Sequence, residues 1–142
     1  MKKIYIFSFI IFLVDQVTKW LALTFCSYPI KLTSFFSLTL VFNPGSIWGL
    51  GAHCTYILAF LGVLAIIFLI LYLPKIHQHT QLIWLVGLLI GGIAGNTYDR
   101  LFRSYVIDFL DFHIDTWHWP CFNIADIAIT LTCFFLIFLF KK

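Results

Sequence analysis

The residues best suited to chemistry in this sequence are six aspartates, which are its only acidic side chains. Two aspartates held close together and away from water share one proton, because the first charge opposes the formation of a second. One carboxylate then accepts a proton from water while the other donates a proton to a carbonyl oxygen, as in aspartic proteases. Such a pair requires no metal and no cofactor, and none is expected. The six are Asp15, Asp99, Asp108, Asp111, Asp115 and Asp126.

Two of the six are the best candidates for such a pair. Asp108 alternates with apolar residues along one face of the segment 105-YVIDFLDFHID-115. Asp126 lies one turn inside an apolar helical segment. Apolar surroundings favour the protonated form of a carboxyl group, and a second nearby carboxylate favours it further. We therefore expect Asp108 and Asp126 to perform acid–base chemistry.

Three other aspartates have simpler expected roles. Asp99 precedes Arg100 and lies near Arg103, so we expect an ion pair that locks this end of the helix. Asp111 lies on the opposite strand face from Asp108, and Asp115 shares that face. We expect both of these carboxylates to be solvated.

Other catalytic classes find little support in the sequence. It contains neither the G-x-S-x-G nor the H-E-x-x-H motif. The spacing of His113, Asp115 and His118 is compatible with a metal site. However, Trp117 and Trp119 lie beside them, and this pattern favours histidines at a membrane interface. No metal is expected.

Composition places the chain among membrane proteins. Its 142 residues are 62% apolar and 11% charged, whereas a soluble domain has about 25% charged residues. The length indicates one domain, residues 1–142, which we expect to act as a monomer. The net charge is +3, and lysines lie at the chain ends and in one short loop, a placement that indicates membrane orientation rather than nucleic-acid binding. The four cysteines are read as small apolar residues.

We predict an all-α membrane protein with four transmembrane helices. Basic residues favour both termini in the cytoplasm and an inner loop at 74-PKIHQHT-80. A small periplasmic β element lies between the first two helices, and a short periplasmic segment lies between the last two. The predicted helices run from Ile4 to Phe25, from Thr55 to Leu73, from Gln81 into 91-GGIAGNTYDR-100, and from about Phe122 to Phe140.

Both outer segments show the two-residue period of a β-strand. In 36-FSLTLVF-42 large apolar residues occupy every second position, and the turn residues Asn43, Pro44 and Gly45 follow. We expect a small sheet lying on the outer membrane face, with Trp48 at the interface.

This topology brings the membrane-embedded polar residues to one level. Asp15 and Lys19 share a helix face at i, i+4 and are expected to form an ion pair. The remaining polar residues end the third helix, begin the fourth, or lie in the outer segments. All of them fall near the outer leaflet, which defines a site. The site comprises Asp15, Lys19, Asn43, Asn96, Asp99, Arg100, Asp108, Asn123 and Asp126.

Glycines recur every four residues along the third helix, at Gly87, Gly91 and Gly95. Small residues at this spacing allow neighbouring helix backbones to approach closely. We expect them to pack the third helix tightly against its neighbours.

Five blocks of sequence, in order, resemble a known family. They are 15-DQVTK-19, 43-NPGSIWG-49, 95-GNTYDRL-101, 106-VIDF-109 and 122-FNIADIAI-129. On a frame of four helices they are similar to those of the lipoprotein signal peptidases, also called signal peptidase type II. These are aspartic endopeptidases of the bacterial inner membrane.

The resemblance implies a catalytic dyad of Asp108 and Asp126. It also implies a prolipoprotein substrate, cleaved just before a cysteine that carries diacylglycerol, and contact with membrane lipid. The remaining matched residues would support or line the site: Asp15, Lys19, Asn43, Gly45, Asn96, Asp99, Arg100 and Asn123.

Two other classes of function stay open. A small proton-coupled transporter also uses membrane carboxylates, although such sites usually lie at the midplane between internal repeats. A non-catalytic membrane scaffold is the third class, but it leaves the buried acids unexplained.

Overall fold

A computed structural model describes residues 2–45, 54–76 and 80–139; of residues 75, 76, 80 and 81 it describes the backbone only. The described chain forms four α-helices and four β-strands. The helices are α1 (Lys2–Phe25), α2 (Thr55–Ile76), α3 (Thr80–Arg103) and α4 (Ile124–Leu139). The strands are β1 (Ile30–Lys31), β2 (Phe36–Asn43), β3 (Val106–Ile114) and β4 (Trp117–His118).

Three helices, α1, α2 and α3, are long and apolar enough to cross a membrane. Helix α4 is also apolar but has 16 described residues, about 24 Å of helix at 1.5 Å per residue. A bilayer core is about 30 Å thick. Helices thus lie at all four predicted positions, and three of them are long enough to span; the described part of α4 is shorter than a span.

The predicted inner loop at residues 74–80 is wrong in extent. Helix α2 continues past Pro74 to Ile76, and α3 already begins at Thr80. Proline removes one backbone donor and usually kinks or ends a helix, which is why the sequence placed the boundary at Pro74. Residues 77–79 lie outside the described ranges, as do Trp48 and its predicted interfacial position.

The expectation of an all-α fold needs correction, because both outer segments join one sheet. The order is β1-β2-β3-β4, and each neighbouring pair is antiparallel. Val41 pairs with Asp108, and Asn43 pairs with Val106. The sheet therefore clamps the segment after α1 to the segment after α3. Backbone hydrogen bonds thus join these two segments, which are distant in sequence, into one structural unit.

Burial on β3 departs from the predicted alternation. Ile107 and Phe109, on the face opposite Asp108, are 0% and 6% exposed. Phe109 packs with Ala22 and Cys26 at the end of α1. Asp111 shares this face and is 2% exposed. The prediction that Asp111 is solvated is therefore wrong, because its carboxylate lies against Thr39 of β2 and His118 of β4.

Close packing along α3 confirms the prediction from its glycine spacing. A Cβ atom at Gly91 would lie 2.6 Å from the Ser8 carbonyl oxygen on α1, and one at Gly92 would lie 2.7 Å from the Ala125 carbonyl oxygen on α4. A Cβ at Gly95 would collide with the Asp15 carboxylate. Helix α3 thus lies directly against both α1 and α4 and presents its polar end to both.

Candidate active site

A cavity of about 500 Å³ lies where the sheet meets the ends of α3 and α4. One part of its wall is polar and the other is apolar. The apolar part follows α4 through Ile127, Ile129 and Leu131. The polar part consists of Asn43, Asn96, Arg100, Asp108 and Asp126. The structure therefore brings five of the predicted site residues to one cavity.

Asp108 reaches this cavity from β3 and is 2% exposed. Its carboxylate accepts hydrogen bonds from the side-chain amides of Asn43 at 2.9 Å and Asn123 at 2.6 Å. Burial raises the pKa of Asp108 to about 6, and the nearby Asp126 charge acts in the same direction. The two amide donors oppose that rise because they stabilise the ionised form. Asp108 therefore holds a proton more tightly than an exposed aspartate does.

Asp126 is positioned by the first turn of α4. The Asn123 side chain accepts a hydrogen bond from the backbone N–H of Asp126 at 3.0 Å, and the Asp126 carboxylate accepts one from the backbone N–H of Asn123 at 3.1 Å. This reciprocal arrangement is a capping box, which ties helix initiation to carboxylate orientation. The Asn96 amide also donates to Asp126 at 2.7 Å.

One side chain contacts both candidate acids. Asn123 is 0% exposed, donates to Asp108 and caps the turn that carries Asp126. Its amide also lies 3.2 Å from the Asn96 side-chain oxygen. A chain of amides thus links the two carboxylates, and no basic side chain contacts either of them within the described ranges.

A second polar cluster lies behind the first and is built around Lys19. The lysine ammonium is 2.8 Å from the carboxylates of both Asp15 and Asp99, and all three side chains are 0% exposed. Lys19 also donates to the Asn96 side-chain oxygen at 2.9 Å. Asp15 in turn accepts from the backbone N–H of Ala125 at 2.9 Å. The predicted ion pair of Asp15 and Lys19 is present, and the cluster joins α1, α3 and α4.

The expected ion pair of Asp99 at the end of α3 is present, but its arginine partner is Arg103 rather than the adjacent Arg100. Asp99 pairs with Lys19 and with Arg103, one helical turn away. Arg100 points to the other side, where it donates to the Gly45 carbonyl oxygen at 2.9 Å. The backbone N–H of Gly45 donates to Asn43 at 3.0 Å. Arg100 therefore anchors the turn after β2, because consecutive residues of a helix point in different directions.

Several residues of the site escaped prediction. Gln16 donates to Asp99 at 3.2 Å and accepts from Arg103 at 3.0 Å, so it completes the second cluster. Its position beside Asp15 in a helix of apolar residues was the available signal. Cys121 and Trp119 line the cavity, and burial raises the pKa of the Cys121 thiol to about 11. Neither residue shows a motif that marks it in sequence.

The histidines near β4 have polar partners in the sheet. His118 lies 2.8 Å from Asp111, which also accepts from Thr39 at 3.0 Å. His113 lies 3.0 Å from the Ser37 hydroxyl. Asp115 adopts a positive φ of 52° in the turn between β3 and β4 and is exposed, as predicted.

The family model described as signal peptidase (SPase) II matches residues 7–141. The chain belongs to the signal peptidase II family. A lipoprotein signal peptidase of Burkholderia thailandensis is 44% identical over 138 residues, covering 92% of this chain and 82% of that protein. One from Francisella tularensis subsp. novicida is 39% identical over 138 residues, with coverages of 90% and 84%. The family recognised from five sequence blocks is confirmed.

Two solved structures share the fold. Both are described as bacterial membrane enzymes studied by the in meso method. One has a TM-score of 0.89 at 24% identity and covers 98% of this chain and 87% of its own. The other has a TM-score of 0.87 at 25% identity, with coverages of 100% and 95%. As a signal peptidase II family member with apolar helices and bacterial relatives, the protein is a membrane-embedded protease of bacterial type.

Proposed function

We propose that this protein is an aspartic endopeptidase in which Asp108 and Asp126 activate water. The observation that carries the proposal is the shared contact with Asn123, which donates to Asp108 and caps the turn that holds Asp126. Two carboxylates that face one cavity and make no ion pair, within the described residues, favour retention of a proton between them. That protonation state is the one an aspartic protease requires.

In the proposed reaction the ionised carboxylate removes a proton from water as the oxygen attacks the scissile carbonyl carbon. The protonated carboxyl group gives its proton to the carbonyl oxygen, which produces a neutral tetrahedral intermediate. Collapse of the intermediate breaks the C–N bond. The leaving nitrogen takes up the proton that the first carboxylate removed from water, and a hydroxyl group of the intermediate returns a proton to the other carboxylate, which restores the dyad. Asn123 and Asn96 hold the two carboxylates in place throughout.

The proposed substrate is a prolipoprotein, cut just before a cysteine that carries diacylglycerol. The names of the relatives support a lipoprotein substrate. The apolar wall along α4 suits the apolar part of a signal peptide, whereas the polar end of the cavity suits a peptide bond. The enzyme would act as a monomer, as one domain spanning residues 1–142.

We further propose that the protein lies in the inner membrane with both termini in the cytoplasm. The sheet and the dyad would then face the periplasmic leaflet. The support is the placement of the polar side chains: Asp15 and Lys19 lie in the second half of α1, and Asn96 and Asp99 lie near the end of α3. A transporter site would be expected nearer the middle of the helices.

Purified protein in lipid should shorten a diacylglyceryl-modified prolipoprotein and leave the unmodified precursor intact. Mass spectrometry of the product should place the new N-terminus at the modified cysteine. Cleavage of both precursors at the same rate would contradict the substrate assignment. Proton uptake into vesicles without any cleavage would instead favour the transporter.

A further inference from the structure

A second cavity, of about 480 Å³, lies on the sheet beside the first. Six of its seven lining residues are apolar or aromatic. The seventh is His113, whose Nε2 atom lies 3.0 Å from the Ser37 hydroxyl. Its volume is within the range of small-molecule sites, about 300–1,000 Å³. The six residues, called the aromatic cavity lining below, are Phe35, Phe112, Ile114, Trp117, Trp119 and Phe122.

Much of this lining is exposed although it is large and apolar. Ile114 is 68% exposed and Trp117 is 53% exposed. The rings of Phe112 and Phe122 stack with centroids 5.8 Å apart and planes 11° apart, so this part of the wall is already formed. A concave site with apolar walls that are already packed against each other suits an apolar ligand.

The aromatic cavity is continuous with the catalytic one. Trp119 and Phe122 line both cavities. On β3, Phe112 follows Asp108 by four residues and shares its strand face. At about 3.3 Å per residue this separates them by about 13 Å. A substrate held at Asp108 can therefore reach the aromatic cavity with a flexible chain of moderate length.

A peptide is poorly suited to this space. The surrounding backbone is already paired: His113 N–H donates to the Phe35 oxygen at 3.0 Å, and Trp119 N–H donates to the Phe112 oxygen at 2.8 Å. A peptide backbone entering the cavity would lose its bonds to water and find few replacements, which is costly. An alkyl chain has no polar groups to satisfy and gains from burial.

We propose that the aromatic cavity binds one acyl chain of the diacylglyceryl group on the substrate cysteine. This inference rests on the proposed function and adds a specificity site to it. The cavity selects substrates by acyl-chain length, because each additional buried methylene strengthens binding. Recognition of the lipid is then separate from the dyad, and it sets KM rather than the chemical step.

The first test compares two substrates with the same peptide, one carrying palmitoyl chains and the other carrying butanoyl chains. The wild-type protein should have the lower KM for the palmitoyl substrate. Ile114→Gln should reduce that preference by about tenfold, because an amide would be desolvated against the chain. Ile114→Met should restore most of it. The matched control is Ile30→Gln, at an apolar residue on β1 that is 38% exposed and lies outside the cavity.

The outcomes separate the two proposals. Retention of the full palmitoyl preference in Ile114→Gln, or an equal loss in Ile30→Gln, would overturn the acyl site while leaving the peptidase intact. A wild-type protein that cleaves neither substrate would overturn the peptidase itself, and the acyl site with it.

A labelling experiment distinguishes the substrate chain from bilayer lipid. A prolipoprotein with a photoreactive group at the end of its acyl chain should label residues 112–119 of the Asp108→Asn variant. A phospholipid carrying the same group, in the same vesicles, should label these residues less, and unlabelled substrate should displace it. Equal labelling by phospholipid that substrate does not displace would show a bilayer contact and overturn the proposal.

Discussion

The protein contains two pairs of carboxylates, Asp15 with Asp99 and Asp108 with Asp126, and the two pairs differ in their partners and in their access to the cavity. Asp15 and Asp99 are fully buried and both contact the Lys19 ammonium at 2.8 Å. Asp108 and Asp126 receive hydrogen bonds from neutral amides and face a cavity. The Lys19 ammonium therefore compensates the negative charge of the first pair, whereas uncharged side-chain amides hold the carboxylates of the second pair.

This difference separates a structural pair from a reactive one. Lys19 contacts both carboxylates of the first pair, and neither of them lines the cavity, so we assign that pair a structural role. Amides fix the direction of a carboxylate without removing its tendency to retain a proton. The cavity gives the second pair access to water and substrate. Asn96 connects the two clusters, since it accepts from Lys19 and donates to Asp126.

The largest expected effect comes from removing a carboxylate of the reactive pair. Asp108→Asn and Asp126→Asn should each reduce kcat by about 10⁴-fold, a loss typical of removing a proton-transferring residue. Folding should persist because asparagine has the same shape. Cleavage assays on purified variants, with thermal unfolding in detergent alongside, measure both quantities. Activity within tenfold of wild type in either variant would end the dyad assignment.

The next largest expected effect is a loss of stability when the carboxylates of Asp15 and Asp99 lose their cation. Lys19→Met leaves two buried carboxylates without their cation, which should cost about 3–5 kcal/mol. A large fall in apparent Tm in detergent is the measurement. Lys31→Met is the control, because Lys31 is exposed on β1. If both variants melted at the wild-type temperature, the ion cluster would not be what holds α1 to α3.

A smaller effect concerns pH. Burial raises the pKa of Asp108 from 3.8 to about 6, so the folded protein binds this proton more tightly than the unfolded chain. The group therefore contributes stability that is fully present below about pH 4 and is lost as the pH rises through about 6. The rate of cleavage should also fall as the pH rises through about 6, because the dyad needs one proton.

Asn43→Ala removes a donor that lowers the pKa of Asp108. The descending limb of the pH–rate profile should therefore move to higher pH. Thr39→Val is the matched control, since Thr39 donates to Asp111 from the same strand. The role given to Asp108 would be contradicted if the descending limb moved to higher pH in the control as well, or if it moved to lower pH in Asn43→Ala.

The smallest expected effect compares two carboxylates of β3 with equal exposure, 2% each. Asp111→Asn should change kcat by less than about threefold, because Asp111 contacts Thr39 and His118 rather than the cavity. The measurement is the same cleavage assay. An inactive Asp111→Asn beside an active Asp108→Asn would reverse the assignment of the strand faces.

Much of the frame was predictable from residues close in sequence. Long apolar runs predict the helices, and α1 begins and α3 ends within a few residues of the expected positions. The pairing of Asp15 with Lys19 also follows from helical spacing. Errors occurred where partners are distant. Arg100 binds the Gly45 carbonyl rather than its neighbour Asp99, and the cover over Asp111 comes from another part of the chain.

The sequence by itself determined the membrane class, the family and the short set of polar residues from which a site had to be built, because composition and local periodicity are properties of neighbouring residues. Only the tertiary structure decided which carboxylates are neutralised by Lys19 and which are held by Asn123 and Asn96. Charge compensation depends on distances between side chains from different helices and strands. Those distances are set by how α3 packs against α1 and α4 and by how the two outer segments pair in one sheet.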